Sequence, residues 1–185
     1  MTKLNKKRNL FFGVCASFIL LAAGCGNNED TTESESSVDE SSEVITSASI
    51  SDKPEDVLPG LSENGTWIYA ITDDVTVEED IMVAGTFHDG GEDSGDVYRK
   101  LALYAQDEDR NVTDEYTLTA PSMTVESPNF RIQNGTFAGD VIVKEEGFEL
   151  ADSTIEGNVT FDSQELMDSA KLDEGTVTGE ISVAE

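Results

Sequence analysis

FRIQNGTFAGDVIV, residues 130–143, is matched without an internal gap by FELADSTIEGNVTF, residues 148–161, and by AKLDEGTVTGEISV, residues 170–183. Ile132, Leu150 and Leu172 fall in one column, and Phe137, Ile155 and Val177 in a second. Val141, Val159 and Ile181 form a third, and Val143, Phe161 and Val183 a fourth. Thr136, Thr154 and Thr176 precede the second column, and Gly139, Gly157 and Gly179 follow it by two positions. Apolar residues alternate with polar ones inside each repeat, which is the periodicity of a strand. Asn134-Gly135, Asp152-Ser153 and Glu174-Gly175 mark one bend, and the Gly column reads as a second bend where positive φ lets the strand turn. Two or three short strands per repeat, with bends in register, predict an all-β fold, a small single-stranded parallel β-helix (β-solenoid). Inward side chains of one lap would stack on those of the next, with Asn134, Asp152 and Glu174 along an outer edge.

Upstream residues read as imperfect laps. Val83-Ala84-Gly85-Thr86-Phe87 echoes Gln133-Asn134-Gly135-Thr136-Phe137, and residues 116–119 and 123–125 show the same alternation. Residues 97–105 (VYRKLALYA) read as a strand with Leu101 and Leu103 inside, followed by an acidic turn over 106–114. No segment shows sustained helical periodicity, although QELMDSA (164–170) suits one helical turn where the last spacing lengthens.

The amino terminus reads as an address. Residues 1–9 are basic and polar, residues 10–23 (LFFGVCASFILLAA) are apolar or small, and Gly24-Cys25 follows. As a helix that apolar run rises only about 21 Å, short of a hydrocarbon core of about 30 Å, so residues 1–24 are expected to be a signal peptide. Leu21-Ala22-Ala23-Gly24-Cys25 resembles a bacterial lipobox, with Ala22 where the pattern usually has Leu, Val or Ile. That resemblance implies a diacylglyceryl-modified Cys25 as first residue of the mature chain, a lipoprotein held on the outer face of a bacterial membrane, with a lean toward a Gram-positive envelope. Two acyl chains suffice for firm anchoring. Cys15 lies within the apolar run, so Cys25 is left without an internal disulfide partner. Residues 25–57, rich in Ser, Thr, Glu and Asp, are expected to be a disordered tether, because they hold too little apolar surface to offset ordering entropy. The β-solenoid domain is then expected over 58–185.

The repeats resemble those of bactofilin-type polymer-forming proteins, small bacterial β-helices with laps of this length and Gly-rich bends. The resemblance covers about residues 117–183 and implies a right-handed solenoid, the hand that the crossover rule also favours. Export and a far more acidic surface set this chain apart from that family and argue against filament formation.

Charge narrows the function. The formal net charge is -28, from 11 Lys+Arg against 39 Asp+Glu, and four of the basic residues lie in the first eight positions. Such a surface has few cations with which to release the counterions of a phosphate backbone, so nucleic acid is not an expected partner. His88, the single histidine, cannot build a zinc site or a nucleophilic triad alone. Asp89, Glu92, Asp93 and Asp96 lie on a Gly-rich loop and could surround calcium, but their spacing fits neither an EF-hand nor the nonapeptide calcium repeat. We therefore read residues 88–96 as a solvated loop, with calcium as the alternative. Carboxylate pairs suited to glycoside hydrolysis carry no signal in so acidic a chain. The four N-x-T triplets, at Asn64, Asn111, Asn134 and Asn158, are read as turn and strand residues.

No catalytic residue, cofactor or metal is assigned. The expected function is a lipid-anchored extracytoplasmic surface protein whose solenoid binds or scaffolds without catalysis, its partner a protein or an envelope polysaccharide. The alternative is a carbohydrate-binding or carbohydrate-processing β-helix of the cell envelope. An acidic polysaccharide would need Arg or Lys to hold its carboxylates, recruited from Arg99, Lys100, Arg110, Arg131, Lys144 and Lys171. The carboxy-terminal lap has only Ala184-Glu185 beyond it, and its carboxylates favour a monomer over self-assembly.

Overall fold

The structure is a computed structural model that describes residues 49–185. The expected signal peptide (1–24), lipidated Cys25 and most of the expected tether lie outside the described residues. The described chain is mostly β, with two short helices. Its strands are β1 (Ser49–Ile50), β2 (Ile68–Ala70), β3 (Val75–Thr76), β4 (Ile81–Ala84), β5 (Arg99–Ala102), β6 (Tyr104–Gln106) and β7 (Val112–Glu115). They continue with β8 (Thr117–Glu126), β9 (Phe130–Gln133), β10 (Thr136–Val143), β11 (Glu149–Glu156), β12 (Val159–Phe161), β13 (Lys171–Val177) and β14 (Ile181–Val183). The helices are α1 (Pro54–Leu61) and α2 (Gln164–Ser169).

Twelve strands form one curled sheet in which every pairing is parallel, and β6–β7 form a separate antiparallel hairpin. Three ladders run through the sheet. The first joins β1, β2, β5, β9 and the leading halves of β11 and β13. The second joins β3 to the starts of β8 and β10 and the ends of β11 and β13, pairing Leu118 with Phe137, Phe137 with Ile155 and Ile155 with Val177. The third joins β4, the ends of β8 and β10, β12 and β14, pairing Met123 with Val141, Val141 with Val159 and Val159 with Ile181. Each pass of the chain visits the ladders in that order, so the apolar columns of the sequence become neighbours in space.

Side-chain alternation then sorts inside from outside. Tyr69, Leu101, Ile132 and Leu150 face inward from the first ladder and are buried, as are Leu118, Phe137 and Ile155 from the second. Phe130 and Phe148 stack with centroids 6.5 Å apart, and Phe148 meets Phe161 edge-on at the same distance. Full burial of such side chains contributes about 1.5–3 kcal/mol each.

The Gly column differs from its expected role. Gly139 has φ 154, whereas Gly157 and Gly179 do not have positive φ. What these two require is room: a Cβ on Gly157 would collide with the Gly139 carbonyl, and one on Gly179 with the Gly157 carbonyl. Positive φ occurs instead at the first bend, at Asn134 (φ 54), Gly135 (φ 56) and Asp152 (φ 50), where Asn and Asp tolerate the left-handed region. Asn134 is not on the outer edge; it is buried, its Nδ2 donating to Glu115 Oε1 at 3.2 Å under the β6–β7 hairpin. Asp152 and Glu174 are exposed. At the second bend Asn158 N and Nδ2 donate to Asp140 Oδ1 at 2.8 and 3.0 Å, and Glu180 N donates to Asn158 Oδ1 at 2.9 Å. Side chains there occupy backbone groups of the neighbouring pass.

Two further expectations are corrected. Folded structure begins before residue 58, because Ser49–Ile50 pairs with Tyr69–Ala70 and α1 buries Val57 and Leu61 completely. Pro54 opens α1, and Glu55 and Asp56 in its first turn complement the helix dipole. The echo between residues 83–87 and 133–137 is not spatial, since β4 pairs Val83 with Val125 in the third ladder.

The carbonyl end of α1 is tied to the first pass by Arg99. This side chain is fully buried, donating from Nε to Thr66 O at 3.1 Å, from Nη1 to Ala84 O at 2.5 Å, and from Nη2 to Gly60 O at 3.0 Å and Ser62 O at 2.9 Å. Carbonyl dipoles thus surround the cation. At the other end of the sheet Leu172, Val177 and Val183 are only half-buried and Ile181 is exposed.

Candidate functional site: the outward face of the first ladder

Because Tyr69, Leu101, Ile132 and Leu150 point inward, their preceding neighbours point outward. Register places Ile68 beside Lys100, Lys100 beside Arg131, Arg131 beside Glu149 and Glu149 beside Lys171. Neighbouring strands lie about 4.8 Å apart, close enough for these side chains to interact along the column. Arg131 Nη2 bonds Glu149 Oε1 at 2.7 Å, and Lys171 Nζ reaches Glu149 Oε2 at 3.9 Å. The second contact is held loosely, as the Lys171 side chain is 73% exposed, and pairs of that kind contribute about 0–1 kcal/mol.

Lys100 makes no ion pair among the described residues. Burial, and then repulsion from Arg131, push its pKa below the usual lysine range, with Asp89 pulling the other way. The Arg131 guanidinium lies 5.5 Å from the centroid of Tyr98, whose ring stands 6.2 Å from that of Trp67. Burial opposes the Arg131 charge most strongly of any one influence, but the hydrogen bond to Glu149 together with the charges of Tyr98, Glu149 and Glu174 outweighs it and raises the pKa. Burial likewise pushes the Tyr98 phenol up against the pull of Arg131. Arg131 Nε is shielded from solvent and has no hydrogen-bond acceptor among the described residues.

Beside this column lies a groove of about 350 Å³, its floor Ile68, Ala70 and Ala102, its wall Tyr104 and Gln106, with Lys100 on its lining. A larger depression of about 600 Å³ lies by β1 and α1 and contains Lys53 together with Asp52 and Asp56. The groove is the stronger candidate, because it is lined by Lys100, which the register sets beside Arg131, and by the ring of Tyr104. Pockets that take small ligands pair an apolar lining with a few convergent polar groups.

The carboxylates singled out in the sequence lie on a separate loop, from which Asp89 comes near enough to act on the charges of Lys100 and Tyr98. Asp89 N donates to Asp96 O at 2.9 Å, His88 Nδ1 is 2.8 Å from Gly95 O, and His88 pairs with Val97, so the loop closes on its own backbone. Asp89, Glu92, Asp93 and Asp96 are exposed. Among the described residues no three His, Cys, Asp or Glu are grouped to hold a metal ion. Cys25 is outside the described residues. Lys100, Arg131 and Lys171 were read from the sequence only as three of the six basic residues an acidic polysaccharide could recruit, and Trp67 and Tyr98 were not read as site residues; yet a signal grouping the three cations was present, since each immediately precedes an inward Leu or Ile. Compared with protein-family models, curated proteins and solved structures, the chain matches none.

Proposed function

We propose that this chain is a lipid-anchored surface protein of a bacterial membrane, whose folded part is a parallel β-solenoid that binds an envelope or extracellular partner without catalysis. Three ladders visited in one order support the solenoid reading, and the sequence around Cys25 supports the anchor. The observation that carries the binding reading is the outward column Lys100–Arg131–Glu149–Lys171 beneath Tyr98 and Trp67, a place where cations and rings are concentrated on an acidic protein. Glu149 faces Arg131 through one oxygen and Lys171 through the other.

Two measurements test this. Mass spectrometry of membrane-extracted protein should find a diacylglyceryl group on Cys25, and an unmodified cysteine on a soluble product rules out the anchor. Membrane-free, detergent-extracted cell-wall material should retain the wild-type chain in detergent and release the double variant Lys100→Glu, Lys171→Glu; equal retention of both removes this face as the binding surface.

A further inference from the structure

We propose that the outward face of the first ladder binds an anionic glycan, laid along the column from Lys100 to Lys171 with its sugar rings against Tyr98, Trp67 and the alanine floor of the groove. This names the ligand class of the binding face proposed above and rests on that reading.

Four observations support it. First, the face gathers three of the seven basic residues that follow Glu29, namely Lys100, Arg131 and Lys171. Of the others, Arg99 is buried among carbonyls and Lys144 pairs with Glu126 at 3.2 Å. On this face Arg131 is paired with Glu149 and Lys171 only loosely so, which leaves Lys100 and Lys171 to engage a ligand anion. Second, Lys100 is half-buried without an ion pair among the described residues, so a ligand carboxylate or phosphate would supply a charge-assisted hydrogen bond. Third, the column runs across successive strands, a span of about 14 Å from Lys100 to Lys171 at the spacing of a sheet. That suits an extended oligosaccharide better than a single small anion. Fourth, Ile68, Ala70 and Ala102 give the groove beside Lys100 an apolar lining, and the partly exposed rings of Trp67 and Tyr98 offer apolar faces to the C–H faces of sugars.

The chain's single tryptophan is a built-in reporter, since Trp67 lies on this face. The full chain in detergent is titrated with polygalacturonate, with a sugar–phosphate polymer, with neutral dextran and with polyglutamate, following Trp67 fluorescence and calorimetric heat. At least one of the two anionic glycans should bind, more weakly as salt rises, while dextran and polyglutamate should not; which glycan wins separates carboxylate from phosphate. Lys100→Gln should weaken binding about tenfold. Lys171→Gln, at an exposed position where folding is not at stake, should weaken it about threefold. Equal binding of dextran or polyglutamate, or unchanged affinity in both variants, overturns the proposal. If neither glycan binds while envelope retention persists and still depends on Lys100 and Lys171, the ligand class is wrong and the binding face stands. If retention fails too, both fall.

Discussion

The guanidinium carbon of Arg99 stands 4.1 Å from the centroid of Phe87, and backbone carbonyls occupy the remaining sides of the cation. Burial lowers its pKa to about 10, so at neutral pH the charge persists in folded and unfolded chains alike and adds no slope to stability. Arg99→Met should leave the carbonyls of Gly60, Ser62, Thr66 and Ala84 without this donor and cost about 3–5 kcal/mol in urea unfolding. Lys144→Ala, which removes a surface pair, should cost less than about 1 kcal/mol. Equal losses would mean that Arg99 is not what ties α1 to the sheet.

Gly157 and Gly139 test the stacking of bends. Gly157→Ala forces a methyl group toward the Gly139 carbonyl, and overpacking of that kind costs about 1–3 kcal/mol. Thr178→Ala, on the exposed side of the last pass, should stay within about 0.5 kcal/mol. Denaturant midpoints at unchanged m-value give the comparison.

Depth along one inward column should set the cost of truncation. Leu150 is buried between Ile132 and the last pass, so Leu150→Ala should cost about 2–5 kcal/mol. Leu172→Ala, at the half-buried end of the same column, should cost less than half as much. Similar losses at the two positions would contradict an open end at β13.

Tyr69 predicts an alkaline signature. Burial first, and Asp56 next, raise its phenol to about 12, and Oη has no hydrogen-bond partner among the described residues. The folded chain therefore holds this proton between pH 10 and about 12 while the unfolded chain releases it. Its contribution to stability is complete below pH 10 and lost as pH rises through that window. Absorbance at 295 nm should show a late tyrosine step that disappears in Tyr69→Phe, and that variant should lose no stability at pH 7.

The sheet's two ends bear on assembly. α1 covers the first pass, and the exposed carboxylates of Asp173, Glu174, Glu180 and Glu185 surround the last. Like charges brought together there would repel, so sedimentation should find a monomer at low salt, with any association confined to high salt where screening is strong. Concentration-dependent oligomers at low salt would contradict this.

The columns of Ile132 and Leu150, of Phe137, Ile155 and Val177, and of Val143, Phe161 and Val183 were legible because an inward position tolerates only apolar residues, so the pattern repeats with the strand. Helix α1 was not, because PEDVLPGL is short, carries two prolines and a glycine, and sits in polar sequence. Its signals were Pro54 ahead of two acids and the apolar pair Val57 and Leu61 one turn apart. The buried role of Arg99 was hidden for another reason. Alternation through Leu101 and Leu103 already placed Arg99 inside, but its four acceptors are main-chain groups far away in sequence, and main-chain groups leave no mark in composition. The candidate face was only half legible: Lys100, Arg131 and Lys171 share an offset, whereas Tyr98 arrives from an insertion that aligns with nothing.

The unequal ends give the molecule a direction of growth. A designed lap grafted after Val183 would find a waiting platform of half-covered Leu172, Val177 and Val183 to roof over, while one placed ahead of Ser49 would first have to displace α1 and unseat the cation that locks it down. An engineer wishing to lengthen the outward column of Lys100, Arg131 and Lys171 should therefore build from the tail, supplying a basic residue just before each new inward leucine.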